Sequence, residues 1–452
     1  MIFKRKIYQK LLEWKALSQG KTAVMIEGAR RIGKSTTAEE FARNEYRDYL
    51  ILDFALEPDD VKRLFTESLG NMASFFRQLF VLKGKTLPER ESLIILDEIQ
   101  MFPEARQAIR YLVKDGRYDY LETGSLIRIR KTSKQILIPS EEDRISMYPM
   151  DFEEFLWAQG DDITYPVIKE AFEQRKPLGA ALHWKIMGRF REYLAAGGMP
   201  EAVQAFTDGK NYEHIDSVKQ AILSLCEEDL KKYDEESHGK ASLIFRKIPE
   251  MLSNCKSHYR LSRAAPNARY REYAKSVRLL AESMIVNECT GVTKPDTVPG
   301  AFADQSDFKL YMGDTGLLLT AMARYSDGET SMNDIYRAII SSHTRWNLGS
   351  VMENAVAQML RSSGHRLYFH RFCCRPEESD QERPYELDFL TVRKKKICPI
   401  EVKSSGYKRH ASFDYFREKY QLRMEDRYII YTNDLLAEYN LVYIPVYMTA
   451  LI

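Results

Sequence analysis

The chain has 452 residues, a length that suits about three ordinary domains. A hydrophobic content of 44% and an aromatic content of 12% exclude a disordered chain, and a net charge of +2 excludes a partner chosen by global charge alone. Six cysteines with no C-x-x-C pair, two of them adjacent at Cys373-Cys374, argue against a zinc framework and suit free thiols in a reducing cytoplasm.

Residues 6–18 carry Ile7, Leu11, Leu12 and Trp14 at helical spacing. The basic start Lys4-Arg5-Lys6 is followed by no apolar stretch, and no run of about 18 apolar residues occurs anywhere, so neither a signal peptide nor a membrane partner is expected. Thr22-Ala23-Val24-Met25-Ile26 reads as a buried strand, and Ser35–Ala42 reads as a helix. Between them lies Gly28-Ala29-Arg30-Arg31-Ile32-Gly33-Lys34-Ser35, which fits G-x-x-x-x-G-K-[ST]. Glycines let the backbone approach a phosphate, and the loop N–H groups and helix N-terminus turn partial positive charge towards it. Lys34 adds a full charge, Ser35 offers a hydroxyl to Mg²⁺, and Thr36 follows at the helix start. ATP and Mg²⁺ are the expected cofactors.

A second strand is read at Asp48–Phe54 and one helical stretch over 60–82. Ser92-Leu93-Ile94-Ile95-Leu96-Asp97-Glu98 reads as a strand buried on both faces, delivering Asp97 to the Mg²⁺ shell and Glu98 to the attacking water. Tyr120–Ser125 reads as a fourth strand, whose end offers Thr123 or Ser125 as a γ-phosphate sensor or simply forms a turn. Arg144, just before a fifth strand at Ile145–Met150, is a candidate arginine finger; an ion-paired surface arginine is the alternative. Asp151–Leu156 opens a helix with an acidic first turn.

The stretches Gly28–Ser35, Leu93–Gln100, Leu121–Ser125 and Tyr148–Phe155 together resemble the prokaryotic AAA-family ATP-binding proteins. In these an ATPase core precedes a C-terminal domain of unknown function of the restriction-endonuclease-like clan. The resemblance implies an ATPase domain over 1–160 and covers nearly the whole chain.

A mainly helical connector is expected over 161–337, with a turn or hinge at Gly197-Gly198-Met199-Pro200. Helix, short helix, helix and strand over about 241–295 follow winged-helix order, and seven basic residues against one acid between Lys256 and Leu280 suit a DNA backbone. Packing alone is the other reading of that segment. Asp314 is expected to cap the helix after it.

In 338–452, Pro384–Val392 and Ile397–Lys403 read as strands joined by Arg393-Lys394-Lys395-Lys396. A turn centred on Lys394 and Lys395 opposes Asp388 and Glu401, which stand about 5 Å apart in such a pair and repel unless a cation lies between them. Asp388 and Glu401 are therefore candidate Mg²⁺ ligands, and Lys403 shares the Glu401 face. The spacing D-x12-E-x-K resembles restriction-endonuclease-like nucleases. The resemblance implies one more acid from an upstream helix, which Glu353 matches, and a metal-dependent phosphodiesterase chemistry. Tyr407, His410 and Tyr415 are aromatic or basic neighbours that read as core or surface residues, with nucleic-acid contact as the alternative.

The fold class expected is α/β: a P-loop ATPase domain, a helical winged-helix-like connector and a restriction-endonuclease-like α/β domain. The functional expectation is an ATPase acting on DNA through a nuclease-like domain. Its rivals are an ATP-dependent DNA-binding protein without cleavage and a nucleotide-driven switch. A homo-oligomer is compatible with either.

Overall fold

Runs of β-branched and aliphatic residues flanked by charge become strands here, and a parallel sheet buries them on both faces. The computed structural model describes residues 2–124, 140–209, 211–233, 239–254, 269–296, 298–325, 332–341, 349–375, 381–403, 411–421, 424, 426–439 and 441–452. Ser125, the stretch 255–268 of the winged-helix reading, Tyr407 and His410 lie outside the described residues. The chain divides into two units, Met1–Pro149 with Glu282–Met284, and Met150–Ala281 with Ile285–Ile452.

The first unit holds a parallel sheet of β1 (Ala23–Gly28), β2 (Asp48–Asp53), β3 (Ser92–Asp97), β4 (Asp119–Gly124) and β5 (Glu142–Met147), in the order β2-β3-β4-β1-β5. All six residues of β3 are buried, as the aliphatic run predicts. The stretch 60–82 forms two helices, Asp59–Glu67 and Met72–Lys83, because Asn71 stops one and caps the next, its side-chain oxygen accepting from the Ser74 N–H at 3.0 Å. The helix Pro103–Asp115, with proline in its first turn, was not anticipated. β5 starts three residues earlier than expected and ends before Tyr148-Pro149-Met150, so Arg144 sits inside it, opposite Met25.

In the second unit Asp151 and Glu154 form a capping box at the start of Phe152–Ala158. An eight-stranded mixed sheet follows: β6 (Val286–Val292), β7 (Ala303–Met312), β8 (Leu367–Cys374), β9 (Arg383–Arg393), β10 (Lys396–Val402), β11 (Arg427–Tyr431), β12 (Leu436–Glu438) and β13 (Leu441–Pro445). Their order is β12-β13-β11-β10-β9-β8-β6-β7. β6 pairs with β7 and, in parallel, with β8, so strands from 161–337 and 338–452 share one sheet. The strand assigned to a winged helix is therefore an integral strand of that sheet.

The β9–β10 hairpin turns through Lys394 and Lys395, both left-handed at φ 48° and 61°. Its register, Val392 opposite Ile397 and Phe389 opposite Ile400, is the one the sequence predicts and brings Asp388 next to Glu401. The helix Gly349–Ser362 packs across β6, β7, β8 and β10.

Asp314 caps the helix Thr315–Arg324, accepting from the Leu317 N–H at 2.9 Å, and its other oxygen accepts from the Gly198 N–H at 2.6 Å. The Gly197–Pro200 element is thus a packed turn. The Met150 N–H donates to the Gly198 carbonyl at 2.6 Å, and the Tyr193 hydroxyl donates to the Met150 carbonyl at 3.0 Å.

Candidate functional site

The parallel order of β1, β3 and β4 brings three strand ends together at one edge of the first sheet, where ligands of open α/β folds bind. β1 ends in Gly28, and a Cβ there would come within 2.4 Å of the Met147 carbonyl and 2.5 Å of Ile32. Only glycine lets the loop leave the strand. Gly33 stands at φ 91° immediately before the helix Lys34–Glu45, leaving that helix's first N–H groups open to an anion.

Lys34 is buried and donates to the carbonyls of Ala29 at 2.8 Å and Gly28 at 3.2 Å. Burial pushes its ammonium down to about 8, against the opposing pull of Glu98 and Asp97. The Ser35 hydroxyl donates to Asp97 Oδ1 at 2.9 Å. The Thr123 hydroxyl donates to the same Asp97 oxygen and lies 3.4 Å from the Glu98 N–H. Of the two sensor candidates, Thr123 is the one among the described residues, and it contacts Asp97.

Glu98 is left-handed at φ 50° and accepts from the Gln100 amide at 2.5 Å. Arg5 braces the loop from outside it, donating to the carbonyls of Ile32 and Tyr148 at 2.7 Å each. Arg144 is paired with Glu142 at 2.8 Å, and Glu142 in turn holds buried Arg106 through two bonds. That is the ion-paired reading of Arg144.

In the second unit β9, β10 and the helix Gly349–Ser362 converge three carboxylates. Asp388 Oδ2 accepts from the Val402 N–H at 2.8 Å. Glu401 Oε1 accepts from Lys403 at 3.1 Å and from the Ser412 hydroxyl, while the buried Oε2 has no hydrogen-bond partner among the described residues. Glu353 accepts from the Tyr311 hydroxyl at 2.5 Å and from Lys309 at 3.1 Å. Burial, then the charges of Glu353 and Glu401, push the Asp388 carboxyl up to about 8, and Lys309 opposes the rise. Burial alone would lower Lys309, but Glu353 and Glu386 hold its ammonium well above its ordinary value. No group of three His, Cys, Asp or Glu suited to a metal occurs among the described residues.

Residues 20–156 match the family model described as an AAA domain. Residues 187–328 and 348–449 match two domains of unknown function, DUF8612 and DUF4143. None of the curated proteins matches the chain. Among solved structures, the Hef helicase domain of Pyrococcus furiosus is 13% identical over 63% of this chain and 70% of that one, with a TM-score of 0.18. The protein VC1899 of Vibrio cholerae is 11% identical over 95% of each chain, with a TM-score of 0.16. Scores this low carry no argument about the fold. The AAA match supports a nucleotide-binding ATPase, a class that usually takes Mg²⁺. No helix among the described residues is long and apolar enough to cross a membrane.

In the first unit the structure brings together Lys34, Ser35, Asp97 and Glu98 and pairs Arg144 with Glu142. Sequence reading missed Arg5, Gln100, Lys309 and Tyr311. Lys309 carried a signal, a lysine set in the otherwise apolar run Phe308-Lys309-Leu310-Tyr311-Met312. Arg5 and Gln100 had none beyond proximity to a motif.

Proposed function

We propose that the chain hydrolyses ATP at Gly28–Thr36 and uses the cycle to control a Mg²⁺-dependent phosphodiester-cleaving site acting on DNA. The observation that carries the ATPase half is the 2.9 Å contact between Ser35 and Asp97, the donor pair that a nucleotide-bound Mg²⁺ requires. Buried Lys34, already aimed along the loop, would exchange its two carbonyl partners for phosphate oxygens. Thr123 holds the Asp97 carboxylate in place, and Glu98 is the base that orients water.

The cleavage half is supported by the opposed Asp388 and Glu401 and by the orphaned, buried Glu401 Oε2, an acceptor suited to a hard cation. A bound Mg²⁺ would supply Lewis acidity at a phosphate and a more acidic water. Lys403 is tethered to Glu401 and offers an ammonium to developing negative charge. The lysines of the β9–β10 turn suit a phosphate backbone. DNA binding without cleavage is favoured by one observation, that Glu353 is already engaged by Lys309 and Tyr311.

The test compares wild type with Lys34→Ala and Asp388→Ala, each scored for ATP turnover and DNA cleavage with Mg²⁺. Lys34→Ala is expected to lose about a hundredfold or more in ATP turnover. Asp388→Ala is expected to lose cleavage and keep ATP turnover. DNA that is bound with a steep salt dependence yet stays intact would establish the non-cleaving reading. No binding even at low salt would remove both and leave the nucleotide switch.

A further inference from the structure

The carboxylate cluster carries its own cation. Lys309 comes from β7, far in sequence from the D-x12-E-x-K spacing, and lies 3.1 Å from Glu353 Oε1 and 2.7 Å from Glu386 Oε1. Tyr311, two residues on and on the same face of β7, donates to the same Glu353 oxygen. Glu386 is matched on its other oxygen by Arg371 at 2.7 Å. With all three carboxylates ionised, as coordination of a cation requires of Asp388 and Glu401, Glu353, Asp388 and Glu401 face two ammonium groups, Lys309 and Lys403, and one negative charge is in excess.

The vacant acceptors are unevenly spread. Glu401 Oε2 is buried and without a hydrogen-bond partner among the described residues. Asp388 spends one oxygen on the Val402 N–H. Glu353 has its Oε1 occupied twice over. One divalent ion at Asp388 and Glu401 turns the excess negative charge into an excess positive one. A second, beside Glu353, would add two more positive charges next to a fixed ammonium in a poorly solvated site.

We propose that Lys309 is a built-in counter-ion that holds Glu353 out of metal coordination and confines this cluster to a single divalent cation, held by Asp388 and Glu401. The inference rests on the metal-dependent reading given above. It makes Lys309 a positioning residue that sets how many ions the site accepts.

Mn²⁺ binding to the nucleotide-free full chain tests it, with Asp97→Asn present throughout to remove the ATPase-site ion. One Mn²⁺ per chain is expected. Asp388→Asn should weaken it at least about tenfold, and Glu353→Gln should change the affinity by no more than about twofold. Lys309→Met should admit a second ion.

Two ions in the protein that retains Lys309, or a tenfold loss in Glu353→Gln, would overturn the role of Lys309 while leaving the metal-dependent reading standing. No bound ion, or an ion indifferent to Asp388→Asn, would overturn both. Should Lys309→Met lose its cooperative thermal transition, the stoichiometry of the Lys309 protein and the Glu353→Gln arm still decide.

Discussion

Glu98 holds a backbone conformation that costs a non-glycine residue about 1–2 kcal/mol, and its side chain is tied to Gln100. A strained residue beside Asp97 is held there by its surroundings, and Gln100 is the side chain that fixes the carboxylate's direction. Gln100→Leu is expected to lower kcat for ATP about tenfold with KM unchanged, because aim is lost and nucleotide contacts are not. A rise in KM at constant kcat would show that Gln100 serves binding instead. Glu122 is the opposite case. Both its oxygens are buried in β4 without a hydrogen-bond partner among the described residues, facing Glu142, Arg106 and Arg144. Burial, then Glu142, raises its carboxyl well above the ordinary value. A raised folded-state value means that stability is fully present below the unfolded value near 4.5 and falls as pH rises through the folded one. Glu122→Gln is therefore expected to raise Tm near pH 8 by about 3 °C, with the gain shrinking towards pH 5. An equal shift at both ends would mean that packing, not ionisation, sets the effect. At this scale Lys34, Ser35 and Asp97 were legible because each belongs to a local pattern whose geometry follows from its spacing. Arg5, Gln100 and Lys309 act across turns or between strands that only the folded chain brings together.

Among elements, local patterning located most strands and helices and erred where a single polar residue decided the outcome. Asn71 divides a continuous apolar periodicity by capping a new helix. Pro149 lies beyond β5, which pairs with β1 from Glu142 to Met147 rather than running on to Met150. The β9–β10 register was readable because two strands of matched length flank a symmetric polar turn. The Gly197–Pro200 turn was legible as a break but not as a packed joint. A Cβ on Gly198 would come within 2.1 Å of the Met150 carbonyl, whose position is fixed by the Gly198 and Tyr193 hydrogen bonds. Neither backbone can yield, so Gly198→Ala is expected to destabilise by about 2–4 kcal/mol in thermal or denaturant unfolding. Gly188, in the middle of the helix Ala180–Ala196, has nothing among the described residues beyond its own helix within 4 Å of an added Cβ. Gly188→Ala is expected to stabilise by about 0.5–1 kcal/mol. Equal responses at the two glycines would remove the steric account.

For the whole molecule, periodicity reports which residues form strands but not which sheet they join. Residues 286–312 have the local signature of a small hairpin, and nothing in their order reveals that β6 pairs with β8 about eighty residues later, from Cys289–Leu367 to Val292–His370. Cutting the chain at 337/338 would remove β6 and β7 from the sheet and leave β8 as a bare edge. It would also take Lys309 and Tyr311 from Glu353, leaving that partly buried carboxylate uncompensated, and would leave Glu386 with Arg371 alone. A fragment spanning 338–452 is therefore expected to aggregate or to melt without a cooperative transition. A fragment spanning 150–452 retains all eight strands and every partner of the carboxylate cluster among the described residues, and is expected to unfold cooperatively. Circular dichroism melts of the two, with sedimentation to check for aggregation, decide the matter. A monomeric 338–452 fragment with a sharp transition would mean that β8 to β13 suffice for a fold, and that β6 and β7 only extend it. The loss of cooperativity in the shorter fragment would instead make the sheet indivisible, with the cation that balances its carboxylates supplied from the segment before it.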